Sequence, residues 1–229
     1  MTAPKPMQRL AIYDMDKTIT RAPTWTAFLL HAAKARAPWR LALFPAAAIA
    51  GAGYMLKLVD RAGLKQIAHR MMIGKALPEA DLRVVADAYA DAVMAGNVLA
   101  PALARIAEDK AAGYRLVLAT ASHGYYAAAI GARLGFDDVI ATVAKRDDAG
   151  RVLSEIEGEN CYGPAKLRMV EAWLAGQGIA REDAQVRAYS DHVSDAPLLE
   201  WADEAFAVNA HAPLVALAGV KGWPVLDWR

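Results

Sequence analysis

From residue 102 to residue 208 the chain alternates between helical and extended patterns, and this alternation restricts the fold more than any other feature. A helical stretch over 102–112 stops at Gly113, a usual C-terminal stop. A strand from Tyr114 to Ala119 follows. Then come a helix near 125–134, a strand near 139–142, a helix after Pro164, a strand over 186–189, a helix after Pro197 and a strand over 205–208. Helices and strands taken in turn build a parallel sheet with helices on its faces. An earlier strand over 10–13 is separated from this run by an Ala-rich helical pattern from about 24 to about 95, with breaks at Pro38, Pro45, Gly63 and Pro78 and no strand alternation. The expected architecture is an α/β core formed by residues 1–20 and 96–229, interrupted by a helical insertion over 21–95, within the usual size of a small domain. Residues 151–159 read as a small β excursion.

The first strand runs into Asp14-Met15-Asp16-Lys17-Thr18. Residues i and i+2 of an extended chain face the same way. Asp14 and Asp16 would therefore project together from the C-terminal end of the strand, where ligands bind in open α/β sheets. One carboxylate could attack phosphorus while the other handles a proton; alternatively, both simply make a turn or cap a helix.

Composition narrows the function. The 229 residues carry 26 Lys plus Arg against 25 Asp plus Glu and are 56% hydrophobic, which argues against disorder and against nucleic acid as a partner. The single Cys161 rules out an internal disulfide or a multi-cysteine metal site and fits a reducing cytoplasm. No cleavable signal is expected before the first strand. Residues 41–56 carry no charge, but these 16 residues contain Pro45, Gly51 and Gly53 and fall short of the roughly 20 needed to cross a bilayer. They read either as a packed helix or as a surface touching lipid, the second favoured by Trp25, Trp39, Arg36 and Arg40 nearby.

Four segments fall at strand ends or the adjoining helix starts: Asp14 and Asp16; Thr120-Ala121-Ser122; Lys166; and Ser190-Asp191-His192-Val193-Ser194-Asp195. Their order resembles the four motifs of the haloacid dehalogenase superfamily of phosphohydrolases, with the insertion where that family carries its C1 cap. The likeness is greatest to subfamily IB, the phosphoserine-phosphatase-like branch, and within it to the bacterial hydrolases that include the CicA protein. It implies a Rossmann-like core and a Mg²⁺-dependent phosphomonoesterase acting through an aspartyl phosphate. It further implies Asp14 as nucleophile, Asp16 as acid and base, and Thr120 and Lys166 as catalytic. Met15, Thr120, Ala121, Ser122 and Lys166 would bind phosphate. Asp14, Asp191 and Asp16 would hold the metal, Asp16 through its backbone carbonyl.

The chemistry is reasonable on its own terms. A carboxylate approaching a phosphate dianion needs a metal and fixed cations against like-charge repulsion, and Mg²⁺ takes oxygen ligands and keeps several waters. Lys166 offers a point charge. Thr120 offers a hydroxyl or caps the next helix. Asp195 orients Lys166 or a metal-bound water, caps the helix near Pro197, or does both. His123, His192 and Ser194 read as loop or packing residues, and His31, His69 and His211 show no ligand spacing.

Phosphoserine phosphatases of this branch carry a glutamate shortly after the second aspartate. Here the stretch is Arg21-Ala22-Pro23-Thr24-Trp25. An ammonium would lack its counterion, whereas Arg21 and Trp25 suit an anionic or amphiphilic leaving group. The expected substrate is a lipid-like or small-metabolite phosphate, with peripheral membrane contact in the lipid case; histidinol phosphate and phosphoserine are the alternatives among enzymes. A non-catalytic interaction protein on the same scaffold is the alternative outside them. The first motif also resembles that of ion-pumping ATPases, but a pump needs membrane spans.

Overall fold

The computed structural model describes residues 7–46, 57 and 59–229. In chain order the described elements are β1 (Gln8–Tyr13), α1 (Thr24–Arg36), a 3₁₀ turn (Pro38–Leu43), α2 (Arg61–Met72), β2 (Ala76–Leu77), α3 (Glu79–Gly96), α4 (Ala100–Ala111), β3 (Arg115–His123), α5 (Gly124–Leu134), β4 (Asp138–Arg146), β5 (Val152–Glu157), α6 (Pro164–Gly176), β6 (Ala184–Ser190), α7 (Ala196–Trp201), β7 (Glu204–Val208), α8 (Ala212–Lys221) and β8 (Val225–Leu226). The sheet order is β2-β5-β4-β3-β1-β6-β7-β8. From β4 to β8 all neighbours are parallel, and β5 and β2 extend one edge antiparallel.

The central strands are apolar on both faces because helices cover both. Ala11, Tyr13, Leu116, Leu118 and Tyr189 join one buried cluster, while Leu10, Ile12, Val117, Ala119, Val186 and Ala188 join another. One side is closed by α3, α4 and α5, the other by α6, α7 and α8. β1 lies between β3 and β6, so the order reverses beside its C-terminal end. A parallel sheet opens a crevice at such a point.

The insertion between β1 and β3 is fastened where it begins and ends. Thr20 bridges Val98, Asn97 accepts from the amides of Arg21 and Ala22 through its carbonyl and side-chain oxygen, and its Nδ2 donates to the Ala22 carbonyl. α1 and α2 share a small apolar cluster of Leu29, Ala33 and Met72. α3 instead buries Leu82, Val85, Tyr89 and Val93 in the main core and is tied to α5 by Arg133, which reaches Asp87 and Asp91.

Three local expectations are corrected. β3 does not stop at Ala119: it continues through His123 with a register shift between Thr120 and His123. Gly63 does not break a helix. It lies in the first turn of α2, where its amide donates to Asp60 Oδ1 and a Cβ would come within 2.9 Å of the Val59 side chain. The insertion contains a strand, β2, whose two residues pair with Leu153 and Val152 at the sheet edge. Most of the uncharged run at 41–56 lies outside the described residues. Among the described residues no helix is long and apolar enough to cross a membrane.

Candidate active site

The amide of Asp14 continues the β1–β6 ladder by donating to Tyr189 O at 2.9 Å, which fixes the carboxylate at the strand end. The chain then turns sharply. The amides of Ile19 and Thr20 return to Met15 O, and Lys17 takes φ 64°, the left-handed region that few side chains adopt. Asp14 and Asp16 consequently face one open pocket of about 430 Å³, together with Thr120, Ala121, Ser122, Lys166, Asp191 and Asp195. The structure thus brings the separated segments together. Met15 has a fully buried side chain, leaving its backbone as the group available to a phosphate.

Lys166 comes from the first turn of α6, which starts at Pro164 after Gly163, whose φ is 61°. Its buried ammonium donates to Asp14 Oδ1 at 2.7 Å and to Asp195 Oδ2 at 2.6 Å. Ser190 Oγ donates to the same Asp195 oxygen at 2.7 Å, whereas Asp195 Oδ1 has no hydrogen-bond partner. Asp195 occupies the cap position of α7 without making a side-chain cap bond, so orienting Lys166 is the role its contacts support. Thr18 donates to Asp14 Oδ2 at 3.2 Å.

Burial raises the Asp14 carboxyl above the usual carboxylate range; Lys166 opposes the shift, while Asp195 and Asp191 add to it. Asp191 is pushed up to about 6 by burial and then by Asp195, against the pull of Lys17 and Lys166. Lys166 is held well above the ordinary lysine value because its two carboxylates outweigh its burial. Burial and neighbouring carboxylates thus raise Asp14 and Asp191 more than the nearby lysines lower them.

The donor set fits a hard divalent ion. The Asp191 carboxylate accepts no hydrogen bond from a side chain among the described residues and shares the pocket with Asp14 and the unpaired oxygen of Asp195. No group of three or more His, Cys, Asp and Glu side chains suited to a metal occurs among the described residues, so no all-side-chain cage is present. Mg²⁺ does not require one, since carbonyl, water and phosphate oxygens complete its shell.

Asp16, which lines the same pocket, is held by a separate set of partners. Thr24 N and Thr24 Oγ1 both meet its Oδ1 at 2.8 Å, and Ser122 Oγ donates to Oδ2 at 3.0 Å. Tyr126 OH supports Ser122 Oγ at 2.6 Å, and Tyr89 OH holds Thr24 O at 2.8 Å. Thr120 Oγ1 accepts from the Ser122 amide at 3.1 Å instead of capping α5, so that amide, expected to face phosphate, is already engaged.

Sequence reasoning missed Thr24, Tyr89, Tyr126, Lys65 and Asn160. Lys65, on α2, donates to Ala121 O and, at 2.6 Å, to Asn160 Oδ1. Only Thr24, just beyond the first motif, stood in a stretch already under scrutiny. Arg21 is exposed and does not line the pocket; Trp25 does. His123 is buried in an aromatic group with Trp25 and Tyr125, and His192 caps the short turn at Val193–Asp195, consistent with packing and loop roles. A separate groove of about 390 Å³ beside α3 and α5 contains none of the expected catalytic residues.

The family model for haloacid dehalogenase-like hydrolases matches residues 11–200. A phosphoserine phosphatase of Mycobacterium tuberculosis is 34% identical over 118 residues, 52% of this chain and 37% of that protein. Protein CicA of Caulobacter vibrioides is 29% identical over 199 residues, 85% of this chain and 83% of its own length. The chain spans less than half the length of the first curated relatives it matches. A crystal structure of a protein with unknown function from Bordetella pertussis superposes with a TM-score of 0.86 at 26% identity, covering 97% of this chain and 100% of that one.

Proposed function

The chain belongs to the haloacid dehalogenase-like hydrolase family, and from that premise we propose that it hydrolyses phosphomonoesters through a phosphorylated Asp14. The observation that carries the reading is the Asp14–Lys166–Asp195 chain at 2.7 and 2.6 Å, sharing one pocket with Asp16.

Asp14, Asp191 and the Asp16 carbonyl would hold Mg²⁺, which neutralises phosphate charge when bound. Lys166 holds Asp14 in place and offers its charge to the phosphate. In the first half-reaction an Asp14 oxygen bonds to phosphorus, the bond to the ester oxygen breaks, and Asp16 gives that oxygen its proton. In the second, Asp16 takes a proton from water as the water attacks phosphorus, releasing phosphate and restoring Asp14. Acid–base assistance of this kind contributes about 10² to 10⁴ in rate. Thr24 and Ser122 fix Asp16, and Thr120 and the backbone of Met15 and Ala121 serve the phosphate.

Residues 21–95 would act as the lid that chooses the substrate. Lys65 and Trp25 bring its residues to the pocket, which supports that division of labour. Turnover of an aryl phosphate with Mg²⁺, its loss with EDTA and its return on readdition test the reading. An Asp191→Ala variant with unchanged metal affinity would refute the coordination.

A further inference from the structure

Beside the pocket β3 and β4 fall out of step. Thr120 pairs with Ala141 and His123 with Thr142, so Ala121 and Ser122 stand on β3 opposite no residue of β4. A bulge of this kind interrupts the ladder and leaves its own peptide groups to find other partners. The Ala121 carbonyl, on the peptide that joins the two extra residues, finds them in side chains. Thr142 Oγ1 donates to it at 2.8 Å, and Lys65 Nζ donates to it from α2. Asn160 Oδ1 ties these two donors together, accepting from Lys65 Nζ at 2.6 Å and lying 3.0 Å from Thr142 Oγ1. The Thr142 hydroxyl is itself seated by the Cys161 amide, which donates to it at 3.1 Å, and Thr142 is fully buried.

The other end of the same peptide is the Ser122 amide, which donates to Thr120 Oγ1 at 3.1 Å. With that oxygen serving as acceptor, the Thr120 hydroxyl has its own proton left for a phosphate oxygen. Ser122 Oγ in turn donates to Asp16 Oδ2 at 3.0 Å. One planar peptide therefore governs both the hydroxyl expected to meet phosphate and the residue that holds the expected acid, and it turns only if both of its ends let go.

We propose that Thr142 and Asn160, together with Lys65 of the insertion, are positioning residues. By holding the Ala121 carbonyl they keep the Ala121–Ser122 peptide in the orientation that presents the Thr120 hydroxyl to phosphate. Neither Thr142 nor Asn160 lines the pocket, so their effect passes through that peptide. The proposal rests on the hydrolytic reading of the Asp14 site.

Thr142→Val keeps the branched shape and removes the hydroxyl. With Mg²⁺ and an alkyl phosphate its kcat/KM should fall by about tenfold, a modest cost for a misaligned group at a reacting centre. Thr142→Ser should restore most of the loss. In a Thr120→Ala background, Thr142→Val should cost no more than about threefold, because the hydroxyl it positions is gone. Amide exchange, followed by NMR on the intact chain without substrate, reads the peptide directly. In Thr142→Val, Asn160→Ala and Lys65→Met the Ser122 amide should exchange at least about tenfold faster relative to the amide of Leu118, which lies in the paired part of β3. Asn160 is half-buried, so its variant decides the matter if Thr142→Val fails to fold. Losses that simply multiply in the Thr120→Ala background, or an unchanged Ser122-to-Leu118 ratio in both Thr142→Val and Asn160→Ala, overturn the proposal. If no ester is hydrolysed, the hydrolytic reading fails by itself, and the exchange ratios still decide whether these side chains hold the peptide.

Discussion

Thr24, the first residue of α1, presents both its backbone amide and its hydroxyl to a single oxygen of Asp16, each at 2.8 Å. The inserted segment is therefore part of what aims the expected acid, because the carboxylate that would protonate the leaving group is gripped by the helix that would cover it.

Thr24→Val keeps the amide contact and removes the hydroxyl. Its kcat on alkyl phosphates should fall by about 10-fold or more, with a smaller loss on activated aryl phosphates, which depend less on a proton donor. Steady-state kinetics on the two ester types measures the split. Equal losses would argue against the acid role of Asp16.

Asp14→Asn should reduce turnover by at least about 10³-fold, as loss of a nucleophile does. Lys166 retains its 2.6 Å contact to Asp195, so circular dichroism and the unfolding midpoint should show a folded protein. Crystals of the native chain grown with a metal fluoride should place the phosphoryl mimic against Asp14. Full activity in Asp14→Asn would reject the covalent mechanism.

His69, on α2 of the insertion, and His123, at the end of β3, are both fully buried beside Trp25 and Tyr125, and among the described residues His69 Nε2 and both His123 ring nitrogens lack partners. Burial holds His69 down at about 4 and His123 well below the ordinary value. Between the folded and unfolded values the unfolded chain binds more protons, so stability from His69 rises with pH from about 4 to 6.5 and is lost on acidification. Moving from pH 7 to pH 5 should cost about 2 kcal/mol through this residue alone. Urea unfolding of the native chain and of His69→Phe at both values checks it: the difference between the two proteins should change with pH by that order, and parallel curves would contradict it.

Asp109 marks a second buried charge site, away from the pocket. Tyr13 and Tyr189 donate to its Oδ2 at 2.6 and 2.8 Å, and Arg187 meets Oδ1 at 2.7 Å. Removing the carboxylate in Asp109→Ala leaves the Tyr13 and Tyr189 hydroxyls without their acceptor, while Arg187 keeps Glu204 at 3.1 Å; at about 1 to 3 kcal/mol for each buried group left unsatisfied, stability should fall by roughly 2 to 4 kcal/mol. KM should remain near the native value at temperatures where the variant is folded. Thermal unfolding and kinetics on one preparation separate the two effects.

The core was legible because its strands are short apolar runs bounded by turn signals, and a sheet buried on both faces leaves little choice of register. Asp14, Thr120 and Asp191 were expected at the site because each stands at the end of such a strand, and Lys166 because it opens a helix; the structure gathers all four around one pocket. The continuation of β3 was not legible: Thr120, Ser122 and His123 look like turn residues, and only pairing with β4 keeps them extended. Lys65 and Asn160 were hidden for a different reason. Their contact depends on where α2 settles against the core, and nothing within either segment announces its partner.

The fastening of Thr20, Arg21 and Ala22 to Asn97 and Val98 bears on how the chain reaches this structure. β1 and β3 pair Leu10 with Arg115, a distant closure for a nascent chain. Once that stem forms, the whole inserted stretch is one closed loop, and the remaining search between the two central strands becomes that of a short connection. Loop-closure cost rises only slowly with length, so relatives can lengthen or shorten this stretch with little penalty to the folding rate of the sheet, provided the residues that seal its neck are retained.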